Sequence, residues 1–145
     1  MDIDEYWSGF VKKEGLHKST PYFMAVCFDE SDGSQPMLRM TLEGRKTVWC
    51  VSSEYWKWLE EDLPEPGDFF IVTDRESEPM CVCEVSGISA YTLDQAPESL
   101  ILADGGEIAG IWREMMGKKL KDEAKRLRYE LRDDMLLVFI SFEKC

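Results

Sequence analysis

The run Met135-Leu136-Leu137-Val138-Phe139-Ile140-Ser141-Phe142 sets the tightest limit on how this chain folds. It is apolar almost throughout and does not alternate, a pattern typical of a central strand. The segment before it is helical in pattern. Ile108, Ile111, Trp112, Met115, Met116, Leu120, Ala124, Leu127 and Leu131 fall on one stripe of a helix over 107–131. Gly117 is a candidate kink within it. A long amphipathic helix followed by an apolar strand calls for helices packed on a sheet.

The rest of the chain fits that plan. Apolar spacing at Ile3, Tyr6, Trp7, Phe10 and Val11 predicts a helix over 2–14, with Asp2 or Asp4 as N-cap and Gly15 as stop. Residues 21–28 read as a short buried strand and Asp29 to Gly33 as a polar turn. Ser34 and Pro36 suit the start of a helix over 35–43 that Gly44 closes. Lys46 to Ser52 is β-branched and aromatic, and predicts a strand. A short helix is expected over 53–61, a turn at Leu63 to Asp68, and a hairpin of strands 69–73 and 80–85. One further strand is expected over 87–93. We read 1–145 as one α+β domain with a mostly antiparallel sheet that curls into a barrel.

Composition narrows the function. The 145 residues carry a net charge of −12. Residues 54–107 hold 14 acids and 2 bases, whereas eight bases fall between Arg113 and Arg132. Long duplex DNA is disfavoured as a partner, because each phosphate contact needs a Lys or Arg. No apolar run approaches the ~20 residues that span a bilayer, so no membrane partner is expected. The acidic start, Met1-Asp2-Ile3-Asp4-Glu5, does not read as a secretory signal. Five cysteines without a Cys-x-x-Cys pair read as reduced thiols in a cytoplasmic protein. With His17 as the sole histidine, no metal site and no cofactor are expected.

Four places carry chemistry. At Gly44-Arg45-Lys46-Thr47 a helix stop is followed at once by two cations and a hydroxyl. Lys46 can serve there as a point charge, or as a base if burial lowers its pKa; equally, the cations can complement the helix dipole. Glu84, inside an apolar strand, is a candidate carboxylate partner for Lys46 across a pocket, or a residue of the wet face. Asp104-Gly105-Gly106-Glu107 suits a tight turn near a ligand, or the capped start of the next helix. Trp49 suits base stacking or a core position.

Taken together, Gly44-Arg45-Lys46-Thr47, Leu63-Pro64-Glu65-Pro66-Gly67-Asp68, the strand ending in Glu84-Val85, and Gly106-Glu107 before Trp112-Arg113 resemble an ASCH domain. The resemblance covers nearly the whole chain. It implies a PUA-like β-barrel with flanking helices and binding of RNA or nucleotides. Some small bacterial members are amidohydrolases that deacylate N-acetylated cytidine through a G-x-K-x-x-T motif and a glutamate from a later strand. Gly44 and Lys46 match the motif, and Glu84 matches the glutamate. Trp49 stands where the threonine belongs, and an indole cannot act as a nucleophile.

The leading expectation is a cleft near Lys46 for a nucleoside, a nucleotide or a short single-stranded RNA. Gly44, Arg45, Lys46, Thr47, Trp49 and Glu107 would contact the ligand, and Glu84 would accept base N–H groups. The alternatives are an amidohydrolase with Lys46 and Glu84 as catalytic residues, and an acidic protein-interaction module.

Overall fold

The computed structural model describes residues 1–29 and 35–145. Among them the elements run α1 (Ile3–Lys13), β1 (Ala25–Val26), α2 (Pro36–Leu42), β2 (Val48–Ser52), α3 (Ser53–Leu59), β3 (Phe69–Thr73), β4 (Pro79–Thr92), α4 (Glu98–Ala103), α5 (Ala109–Leu127) and β5 (Leu136–Lys144).

Local chemistry sets the helix ends. Asp2 caps α1 by accepting from the Asp4 N–H at 2.7 Å. Pro36 opens α2, where its missing N–H costs nothing. The carboxylate of Asp29 takes the N–H groups of Met37 and Leu38, at 3.0 and 2.9 Å. Ser34 and most of the expected Asp29-to-Gly33 turn lie outside the described residues. Gly44 adopts φ +77° after α2, and the Gly44 and Arg45 N–H groups return to the Thr41 and Met40 carbonyls. This double return satisfies carbonyls that the helix end leaves bare.

The five strands form one sheet in the order β1-β3-β4-β5-β2. β1 pairs with β3 in parallel, whereas β3 with β4 and β2 with β5 are antiparallel. The α+β class and the mostly antiparallel sheet are as expected. The barrel is not: β1 and β2 end the order without pairing to each other. β1 is only two residues long and offers too short a ladder to close a barrel.

Two compact units are distinguished. The first comprises Met1–Arg45, Pro64–Ser86 and Phe142–Cys145. Trp7, Val11, Ile71 and Val82 form a core cluster there. Trp7 stacks on Phe10 at 5.3 Å, and Phe142 meets Phe70 edge-on at 5.2 Å. The second unit comprises Lys46–Leu63 and Gly87–Ser141. Its cluster is built on Val48, Ile101, Trp112, Leu120, Leu137 and Phe139. β4 and β5 each run from one unit into the other.

Three element expectations change. The strand over 21–28 shrinks to Ala25–Val26. The two strands over 80–93 are one, since Gly87 does not interrupt β4. On α5 the buried positions are Trp112, Leu120 and Ala124, spaced by multiples of four. Ile108, Ile111, Met115 and Leu131 are exposed, so the stripe in contact with the core is narrower than the apolar stripe in the sequence.

Candidate functional site

The second unit buries a cation. Lys46, only 4% exposed, directs its ammonium to the Val48 carbonyl at 2.7 Å and the Asp104 backbone carbonyl at 2.8 Å. A third bond, also 2.7 Å, goes to Asp104 Oδ1. An ammonium has three hydrogens, and these three acceptors use them. The other carboxylate oxygen, Asp104 Oδ2, accepts from Trp112 Nε1 at 2.9 Å. A chain of hydrogen bonds therefore links Lys46, Asp104 and the indole of Trp112.

The sequence builds this arrangement through a helix stop. Asp104 is the C-cap of α4. Gly105 follows at φ +106°, and the Gly105 and Gly106 N–H groups return to the Leu102 and Ile101 carbonyls. Gly106 is required by space: a Cβ there would lie 2.9 Å from both Ile101 Cγ2 and Trp112 Cδ1. The Ala103 carbonyl accepts from the Thr47 N–H at 2.9 Å. Lys46 thus enters at the carbonyl end of α4, where the peptide dipoles favour a cation.

Burial lowers the Lys46 pKa from the ordinary lysine range, and the Asp104 carboxylate opposes that shift. Cys50, close enough to feel both charges, is pushed up by burial and stays a thiol near neutral pH. Lys119, exposed on α5, acts electrostatically on both Lys46 and Cys50. It forms no ion pair among the described residues. The half-buried Thr47 hydroxyl has no hydrogen-bond partner among them either.

The other residues singled out by sequence stand elsewhere. Trp49 is 9% exposed, with its ring 5.9 Å from that of Trp56, so its indole packs in the core rather than offering a face to a base. Glu84 is exposed on β4 in the first unit, opposite Phe69. The carboxylate that meets Lys46 is Asp104, which sequence reasoning placed in a separate loop. Arg45 is exposed and pairs with Glu43 at 2.8 Å. Gly44 closes α2, and Glu107 is exposed beyond the α4 stop. Ser52 is a buried cap of α3: its hydroxyl accepts from the Tyr55 N–H and donates to Glu123, which also accepts from Tyr129. Arg113 donates to the Ala96 and Leu93 carbonyls, so this part of the basic segment is structural.

A family model described as "ASCH domain" matches residues 24–145. A solved protein of Enterococcus faecalis V583, of the DUF984 family, is similar with a TM-score of 0.86 and 26% identity, over 99% of this chain and 87% of its own. An ASCH domain from Lactobacillus crispatus JV V101 has a TM-score of 0.82 and 21% identity, over 99% of this chain and 95% of its own. That second likeness speaks for the fold. No curated protein matches the chain.

Proposed function

The chain belongs to the ASCH domain family, and on that premise we propose that its second unit binds a nucleoside, a nucleotide or a short single-stranded RNA beside Lys46. The observation that carries this reading is the division of labour around the buried ammonium. Lys46 gives its hydrogens to Val48 and Asp104, and so fixes the α4 stop against the start of β2. Lys119 and the Thr47 hydroxyl are left for a ligand. Lys119 supplies a positive charge for a phosphate, because Lys46 and Asp104 neutralise each other. The Thr47 hydroxyl both donates and accepts, and suits a ribose hydroxyl or a base edge. Glu107, exposed past the glycine turn, is a further acceptor for base N–H groups.

Binding is favoured over hydrolysis. A general base needs a free lone pair, and the Lys46 nitrogen is an ammonium whose bonds are all directed to acceptors. No hydroxyl stands at the motif position held by Trp49, and Cys50 is kept protonated. A cytoplasmic location belongs to the same proposal. Among the described residues no helix is long and apolar enough to cross a membrane.

Calorimetry with cytidine monophosphate, and anisotropy with a labelled trinucleotide, test the reading. Lys119→Ala should weaken binding roughly tenfold, the size of one charge-assisted hydrogen bond, and Thr47→Ala by less. Unchanged affinity in both variants would overturn the site. Release of acetate from N-acetylated cytidine by the purified protein would overturn the preference for binding over catalysis.

A further inference from the structure

The first unit holds a second chemical site that the ligand-binding reading does not use. Cys81 and Cys83 are two apart on β4 and so project from the same face of the strand. Their sulfurs are 4.0 Å apart, with one thiol donating to the other. Cys83 is fully buried opposite Phe70. Cys81 is also buried, at 6% exposed, but lines a cavity of about 230 Å³ together with Tyr6, Phe10, Lys13, Lys144 and Cys145. The two thiols therefore differ in access: Cys81 borders a space that admits a small molecule, and Cys83, two residues along the same face, does not line it.

We propose that Cys81 and Cys83 form an oxidisable dithiol whose co-substrate is a small hydroperoxide entering this cavity. Cys81 as thiolate attacks the peroxide oxygen. The S–O bond forms as the O–O bond breaks, and the leaving oxygen departs as water or an alcohol after taking a proton. The sulfur of Cys83 then attacks the sulfenic sulfur of Cys81. The S–S bond forms, and the hydroxyl leaves as water with the Cys83 proton. Two thiols and one hydroperoxide give one disulfide, one water and one water or alcohol.

Electrostatics favour this order. The hydrogen bond from Cys83 lowers the Cys81 pKa, and the nearby Lys144 ammonium adds to that effect against the opposing influence of burial. Cys83 moves the opposite way, because it donates that bond and is itself buried. Cys81, which lines the cavity, is thus placed to meet the peroxide first, and Cys83 to resolve it. Closure requires the strand to buckle between the two residues, because the Cα and the parallel Cβ atoms of residues two apart on a strand both stand roughly 6.4–6.8 Å apart, at or beyond the limit that disulfides bridge. The register of β3 on β4 slips beside Cys81: Val72 faces Cys81 while Thr73 faces Pro79, and Met80 is the extra residue. This bulge loosens the ladder next to Cys81 on the side away from Cys83, while Cys81, Val82 and Cys83 stay in regular register with Val72, Ile71 and Phe70.

The test treats the whole folded chain with hydrogen peroxide near neutral pH, then maps thiols and linkages by mass spectrometry. The expected product has lost two hydrogens, carries a Cys81–Cys83 link, and reverts with dithiothreitol. In Cys83→Ser the sulfenic acid should persist on Cys81 and be trapped by dimedone. Cys145→Ser should leave the link unchanged. A link through Cys145, or oxidation of Cys27 and Cys145 while Cys81 and Cys83 remain thiols, would overturn the proposal. The wild-type map decides the matter even if the serine variants do not fold.

Discussion

The buried pair of Lys46 and Asp104 makes a strong prediction, because the two charges cannot be removed with equal consequence. Asp104→Ala leaves the Lys46 ammonium in the core without this carboxylate, and should cost about 3–5 kcal/mol in urea unfolding. The double variant Lys46→Met/Asp104→Leu removes both charges, and should lose less than Asp104→Ala does. A larger loss in the double variant would show that the pair contributes by packing rather than by charge. The pH dependence follows from the lowered Lys46 pKa. Between the folded value and the ordinary 10.5, the unfolded chain binds more protons than the folded one, so stability rises with pH. The penalty is in full force below the folded pKa and is gone above 10.5. Wild type should therefore gain on Lys46→Met as the pH is raised towards 10.5, which unfolding curves measured in parallel would read. Trp49→Ala is a poor probe of ligand binding for the opposite reason. The ring is buried beside Trp56, and truncation should cost about 3–5 kcal/mol whatever the ligand does.

At the scale of elements, what could be read from sequence depended on whether local signals agreed with one another. The caps of α1, the Pro36 start and Gly44 stop of α2, the hairpin of β3 and β4, and the β5 strand were all legible. Each carried a strong local signal, whether a cap, a turn, or in β5 an unbroken apolar run. α4 was not legible. It is six residues long, too short to show a period, and begins after Pro97 without a side-chain cap. Its stop, within Asp104-Gly105-Gly106-Glu107, therefore reads in sequence as a tight turn near a ligand or as the capped start of the next helix, not as the end of α4. The same error hid the partner of Lys46, since the carboxylate belongs to a helix end that the pattern did not reveal. Lys46 itself was legible, as a cation directly after a helix stop. Gly117 was overread, because α5 runs through it without interruption. A Cβ there would meet only Leu93 Cδ2, at an ordinary 3.8 Å. Gly117→Ala should then raise stability by about 0.5–1 kcal/mol and the melting temperature by about 2–4 °C. A fall in Tm on calorimetry would show that the glycine serves the neighbouring loop.

For the molecule as a whole, charge and connectivity matter most. The net charge of −12 falls mainly in residues 54–107, while the cation proposed to meet the ligand is Lys119. RNA binding should accordingly depend weakly on salt, with a logarithmic slope of about −0.7 for each phosphate held. Lengthening the RNA from three to twenty nucleotides should add little affinity. A slope several times steeper would mean that the basic face of α5 tracks a backbone. Connectivity has a consequence for how the chain is made. The first unit is assembled from three separate stretches, and Phe142–Cys145, which bring Phe142 against Phe70 and the Cys145 N–H to the Val82 carbonyl, are the last of them. On the ribosome these residues emerge after every segment of the second unit. The helix that begins at Ile3 must wait until Phe142–Cys145 are made before its unit is completed, and until then the apolar faces of that unit are open to chaperones and proteases.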